Sequence, residues 1–365
     1  MTLPASGSIS LSQVNYELGL STTAYSTMDD AAVRSLFGVA SGAISMSSGY
    51  GKSTVKVISS TANVPGGGAQ IISFCLSRDG RKAYAFAYVS YPAAYPFYKS
   101  TDGGTTWTSY TNPGINVAQE MCCSSDGTKV YATGYPGYIW SSSNSGTSWT
   151  QNTSGLPNTY WRSICCSADG AIVYAIANGE YGVYRSLDSG ANWSLLSYTD
   201  TLYYSVACSA DGSKVVTCRG YSRELIVSSN YGVTWASKTM TISEPIGYPP
   251  DNVSMSNDGT KIAACPQNIS SYIYVSSDSG NTWTERTTPL TRTYNVRISG
   301  DGSKIIVSEG YGTHRVLYSS DNGVTWTTIL SLSQDAQKNI ALSDNGNAII
   351  AVNASIGTTT IYTYK

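Results

Sequence analysis

The sequence predicts an all-β fold, a seven-bladed β-propeller carried behind a short N-terminal domain. Three observations lead there. An eight-residue pattern ends at Trp107, Trp149, Trp193, Trp235, Trp283 and Trp326, at successive spacings of 42, 44, 42, 48 and 43 residues. A Ser-x-Asp-Gly motif recurs in step with it, at Asp79, Asp126, Asp169, Asp211, Asp258 and Asp301, with a degenerate seventh copy at Asn345-Gly346. The composition, 35 Gly, 29 Tyr and 8 Trp against 12% charged residues, suits strands joined by tight turns and disfavours long helices.

Each repeat reads as four strands: one before Asp-Gly, one after it such as KVYA at 129–132, a third such as YIYVSS at 272–277, and a fourth beginning at the Trp. Four-stranded sheets repeated at this period are propeller blades. The eight-residue pattern itself (STDGGTTW, SSNSGTSW, SLDSGANW, SSNYGVTW, SSDSGNTW, SSDNGVTW) resembles the Asp box of sialidases and related propellers, over the chain from about residue 54 onward. Its acidic or amide residue (Asp102, Asn144, Asp188, Asn230, Asp278, Asp321) is expected to bond turn N–H groups. The Gly takes a positive φ and the Trp packs between sheets. An Asp or Asn used six times as a turn staple is structural, not catalytic.

The last repeat has three strands (NIALS, AIIAV, TIYTY) and no fourth, so TVKVIS at 54–59 is expected to close it and cover an open edge. Asp-Gly turns join strands one and two, and Asp boxes join strands three and four. Both therefore belong to one end of the propeller, where residues 1–53 should emerge. Links from strand two to three, and from blade to blade, belong to the other.

Residues 1–53 have a different texture, with ASGSISLS at 5–12 echoed by ASGAISMS at 40–47 around a helical stretch at 29–38. Asp29 or Asp30 serves as N-cap and Gly38 as stop. This segment is similar to the N-terminal region of many tailed-phage tail-fibre and baseplate-attached proteins. The resemblance implies attachment of residues 1–53 to other tail or baseplate proteins, a homo-oligomer in the virion, and assembly in the host cytoplasm. GYGKS at 49–53 lacks the first glycine of a phosphate-binding loop, Met46 standing there, and reads as a linker.

A net charge of −1 with no basic stripe gives no footprint for nucleic acid. Neither a secretory leader nor a run of about 18 apolar residues is present, so membrane insertion is not expected. Of eight cysteines, Cys75, Cys122, Cys123, Cys165, Cys166 and Cys208 precede Asp-Gly turns and are expected to be reduced core residues, adjacent ones facing opposite sides of a strand. The sequence has no Cys-x-x-Cys and one histidine, His314, and predicts no metal and no cofactor.

The link end collects tyrosines in YVSYPAAYPFY (88–98), GYPGY (134–138), GEYGVY (179–184), RGYSRE (219–224) and EGYGTHR (309–315), with PNTYW (157–161) and IGYPP (246–250) between blades. Tyr91, Tyr95, Tyr135, Tyr138, Tyr181, Tyr221 and Tyr311 are the candidate receptor contacts, offering rigid plates for a host glycan or protein. The sialidase resemblance also raises a glycosidase, which would draw on Arg219, Arg223, Arg292, Arg315, Glu180, Glu224 and Glu309. The Phe-Arg-Ile-Pro motif of those enzymes is absent, and a binder is favoured. A scaffold touching only other tail proteins is the second alternative, and the third is a cellular propeller resembling the photosystem II assembly factor with similar repeats, which the N-terminal segment does not fit.

Overall fold

The computed structural model describes residues 57–63, 70–90, 93–115, 117–177, 182–197, 203–220, 224–240, 250–266, 271–310, 315–331, 340–346, 348–355 and 358–364. The expectations for residues 1–53 lie outside them. The described strands form an all-β propeller. Six sheets are each built from consecutive antiparallel strands: blades 1 (70–110), 2 (118–152), 3 (161–197), 4 (203–239), 5 (252–287) and 6 (293–331), blade 1 with an extra short strand at Ala93–Ala94. A further sheet has the order Val57–Asn63, Thr358–Tyr364, Ile349–Ser355, Ile340–Leu342, so its outermost strand comes from the other end of the chain. That strand lies later than the expected 54–59. Apolar alternation marked only its beginning, and the strand runs on to Asn63.

The first strand of every sheet is innermost. Gln70–Leu76, Ala118–Cys123, Trp161–Cys166, Tyr203–Cys208, Asn252–Met255, Thr293–Ile298 and Ile340–Leu342 neighbour one another in that order, the last returning to the first. At their ends the residue before each Asp-Gly or Asn-Gly binds the next turn through the backbone. Arg78 N–H donates to Ser125 O, Ser125 to Ala168, Ala168 to Ala210, Ala210 to Asn257, Asn257 to Gly300, Gly300 to Asp344, and Asp344 back to Arg78, at 2.7–3.1 Å. The circle is closed.

Side chains fix each turn in that circle. Ser77 Oγ donates to Asp79 Oδ1 (2.7 Å) and accepts the Lys82 N–H (2.9 Å), while Asp79 Oδ1 accepts the Arg81 N–H (3.0 Å). The same arrangement recurs at Ser124, Ser167, Ser209, Ser256 and Ser299, all buried. Gly80 has φ +70°, and a Cβ there would lie 2.3 Å from Ala348 Cβ, so the turn's close approach to the neighbouring blade requires glycine.

The hairpins between third and fourth strands follow the expected design. Ser100 Oγ donates to Asp102 and accepts the Gly104 N–H, and Asp102 Oδ1 accepts the N–H groups of Thr105 and Thr106. Asp188, Asp278 and Asp321 do the same with carboxylates, Asn144 and Asn230 with amide oxygens. The hairpins of blades 1 to 5 lean on their own blade's Asp-Gly turn, as in Gly103 N–H to Arg81 O and Ser145 N–H to Thr128 O, both 2.7 Å. Both kinds of turn thus share one end of the propeller.

The tryptophans are less uniform than their spacing suggests. Trp107 and Trp193 are 8% and 6% exposed, but Trp149, Trp235, Trp283 and Trp326 are half-buried, because the outer strands they open lie at the rim where one blade only partly covers the next. Tyr84, Tyr131 and Tyr174 instead take the deep positions. Each is buried on a second strand and donates its hydroxyl to the carbonyl of Gly127, Gly170 or Gly212 in the following blade's turn.

Two outcomes follow from this packing. Trp193→Ala is expected to lower unfolding free energy by about 3–5 kcal/mol as a buried aromatic truncation, and Trp326→Ala by about 1–2 kcal/mol because its ring is only partly covered; urea denaturation of both variants measures the difference. Acid should also undo the turns. The Ser124 hydroxyl brings Asp126 down to about 2, Ser256 does so for Asp258, and the Thr282 and Thr325 hydroxyls do so for Asp278 and Asp321. A carboxylate lowered in the folded state stabilises it above its unfolded value and loses that contribution as pH falls through the folded one. The melting temperature should therefore drop between about pH 4 and pH 2. A thermal scan placing most of the loss above pH 5 would contradict the assignment.

Candidate binding site

The end opposite the Asp-Gly turns carries one exposed aromatic pair among the described residues. Tyr135 follows the second strand of blade 2, and Tyr160 immediately precedes the inner strand of blade 3. Their rings lie 4.6 Å apart at 50° and are 40% and 45% exposed. The backbone beneath them is fixed. Gly137 and Thr159 exchange both N–H···O bonds (3.0 and 3.1 Å), Gly134 and Tyr138 are joined at 3.0 Å, and buried Trp161 donates Nε1–H to Gly137 O. Two loops from neighbouring blades are thereby locked into a single plate, so presenting the rings costs little conformational entropy on binding.

The other candidate tyrosines fall differently. Tyr138 is half-buried against the core between blades 2 and 3, and Tyr95 is half-buried with its ring 5.4 Å from Tyr88. Their rings serve packing at least as much as exposure. Tyr91, Tyr181, Tyr221 and Tyr311 lie outside the described residues, as do Glu180, Arg223 and His314.

Beside the plate opens a cavity of about 410 Å³, lined by the seven innermost strands. Its walls are polar near the beginnings of those strands. Three residues before the last residue of the inner strand, blades 1 to 6 carry Ser73, Glu120, Ser163, Ser205, Asn252 and Asn295, and four of these bridge blades. Glu120 accepts the Ile164 N–H, Ser163 that of Val206, Ser205 that of Val253, and Asn252 that of Val296, at 3.0–3.3 Å.

Four charged residues stand in this wall. Glu120 of blade 2 and Arg297 of blade 6 meet across the channel at 3.9 Å, and Arg297 also donates to Asn252, Asn295 and the Val296 carbonyl. Burial pushes the Glu120 carboxyl up and Arg297 opposes it. The Arg162 guanidinium sits 3.9 Å over the Tyr204 ring. Asp251, just before the inner strand of blade 5, is raised to about 6 by burial, with Arg162 pulling the other way. Arg162 is two residues from Tyr160, so this charged mouth and the tyrosine plate belong to the same end.

Sequence reading passed over these four residues. The available signal was a charge at a repeat position otherwise held by Ser or Asn, as Glu120 is, or embedded in an inner strand, as Arg162 and Arg297 are.

Four of the residues weighed for a glycosidase, Arg219, Glu224, Glu309 and Arg315, are engaged in pairs. Glu309 is buried and accepts the backbone N–H groups of Thr291 and Arg315 while Arg315 Nε pairs with it at 3.3 Å. Arg219 pairs with Glu224 at 2.8 Å. These pairs staple loops.

No protein-family model matches the chain, and no curated protein matches it. Among solved structures it is similar to YCF48 bound to D1 peptide, at 18% identity over 82% of this chain and 93% of that one, with a TM-score of 0.60. It is also similar to the GH74 enzyme of Niastella koreensis (14% identity, 77% and 62% covered, TM-score 0.52) and to the WD40 repeats of RRP9 (10% identity, 86% and 100% covered, TM-score 0.65). At these identities the likeness shows the β-propeller fold alone.

Proposed function

We propose that the chain is a tailed-phage virion protein, a tail-fibre or baseplate-attached component, whose propeller binds a host-surface glycan through the end carrying Tyr135, Tyr160 and the charged channel mouth. The Tyr135–Tyr160 plate is the observation that carries the binding role. Two fixed, half-exposed rings beside Arg162 and Asp251 combine an apolar surface for a sugar face with donors and acceptors for its hydroxyls. The virion assignment rests on the resemblance of residues 1–53 to phage attachment segments. On this reading the chain binds and does not catalyse, since Arg219, Glu224, Glu309 and Arg315 among the candidate residues are used in structural pairs.

The sheet that combines both ends of the chain completes, in this reading, a seven-bladed ring. It would turn attachment at residues 1–53 and closure of the propeller into one continuous stretch of chain. A scaffold role has its own support at the opposite end, where Leu187, Val233 and Val324 on the hairpin tips are 55–70% exposed and could meet other tail subunits.

Replacing Tyr135 and Tyr160 together by Ala is expected to weaken adsorption of phage particles to host cells by about tenfold or more, since aromatic anchors typically contribute about 1–3 kcal/mol each. Particle yield should be unchanged. Normal adsorption by fully assembled variant particles would overturn the receptor reading in favour of the scaffold.

A further inference from the structure

The six cysteines that precede Asp-Gly turns occupy two repeat positions, the last and next-to-last residues of the innermost strands. Side chains at these positions face opposite neighbours, so the next-to-last residue of one blade meets the last residue of the following blade. Cys75 and Cys123 share the core between blades 1 and 2, Cys122 and Cys166 that between blades 2 and 3, and Cys165 and Cys208 that between blades 3 and 4. In each pair the partner sulfur adds to the forces that keep the thiol protonated. Cys123 Sγ also donates to Leu76 O at 3.1 Å, beside Cys75. At the next interface the two positions hold Ala207 and Met255, and then Ser254 and Ile298, so the thiol series stops after three rungs.

All six sulfur-bearing residues line the axial cavity, which gives a small reagent a route to them. Cys122, Cys123, Cys165, Cys166 and Cys208 keep partial exposure for this reason, a departure from the fully buried cysteines the sequence suggested. The remaining two, Cys218 and Cys265, are on second strands, fully buried and away from the cavity.

We propose that these residues form a redox-responsive ladder of three inter-blade disulfides, Cys75–Cys123, Cys122–Cys166 and Cys165–Cys208, closed by a low-molecular-weight disulfide that enters the axial cavity. In each rung one thiol loses its proton and attacks a sulfur of the small disulfide, which splits to release one small thiol and leaves a mixed disulfide on the protein. The second cysteine attacks the protein sulfur of that mixed disulfide and expels the second small thiol. The protein gives up two electrons and two protons per rung, and the small disulfide takes them as two thiols. The hydrogen bond to Cys75, together with burial, holds Cys123 in its thiol form, and burial followed by the partner sulfur does so for Cys122 and Cys165. Scarce thiolate slows exchange in either direction, so the redox poise of the compartment decides the state: the ladder stays open where the poise is reducing and closes slowly after release from it. Closed, it would tie blades 1 to 4 covalently across loops of more than 40 residues and reduce the freedom of the unfolded chain.

The test is incubation of the native, full-length protein with oxidised glutathione, followed by non-reducing peptide mapping and thiol titration after unfolding. Free thiols should fall from eight to two, Cys218 and Cys265, with the three named cross-links recovered and a melting temperature higher than that of the reduced protein. Cys123→Ser can keep the hydrogen bond to Leu76 O, and should lose the Cys75 link while retaining the other two. Native protein that keeps all eight thiols, forms only mixed disulfides, or links cysteines in other pairs would overturn the proposal. So would loss of all three links in a folded Cys123→Ser variant.

Discussion

Seven backbone hydrogen bonds running from turn to turn around the axis hold the arrangement together. Each joins the residue before one Asp-Gly or Asn-Gly to its counterpart in the next sheet, and each is modest alone, about 0.5–1.5 kcal/mol net. Their effect is geometric. A closed circle fixes the angle between neighbouring sheets, which in turn sets the spacing of the innermost strands and the bore of the channel. The serine and aspartate in every turn exist to hold the donor and acceptor of that circle in place, and the Tyr84, Tyr131 and Tyr174 hydroxyls reinforce it from one blade to the next.

The same constraint divides the molecule's labour. One end is consumed by turns that bond to one another, so its polar groups are largely spent on structure. The opposite end has longer links that owe nothing to the circle and are free to vary, and there the Tyr135–Tyr160 plate and the Arg162, Asp251 mouth are found. Between the two ends the inner strands change character, from polar side chains bridging blades near the mouth to thiols, Ala and Met near the turns. On the proposed function, the structural turns occupy one end and recognition the other, as expected when functional loops are displayed on a rigid scaffold.

Much of this was legible from periodicity. The repeating Trp and Asp-Gly positions specify sheets, turns and ends because each motif is a local hydrogen-bonding device whose geometry hardly depends on context. What depends on context was missed. Trp326 and Trp193 look equivalent in sequence but differ in burial, since coverage at the rim is set by the neighbouring blade. Tyr84 and Tyr135 are both tyrosines, yet one staples a turn and the other faces solvent. Glu120 and Arg297 lie far apart in the chain and meet only because the ring brings blades 2 and 6 to opposite walls of one channel. Alternation did foretell that Cys122 and Cys123 face opposite ways, but not which sulfur each would meet.

The central claim is that the circle of turns is closed, the last turn bound to the first by the same kind of bond as any two neighbours. Native-state hydrogen exchange resolved at the amides of Arg78, Ser125, Ala168, Ala210, Asn257, Gly300 and Asp344 tests it directly. A closed circle predicts that the Asp344 amide, which donates back to Arg78, exchanges within about tenfold of the other six, all opening with the global unfolding of the propeller. Exchange at Asp344 orders of magnitude faster than at the rest would mean that the ring is open between the last sheet and the first.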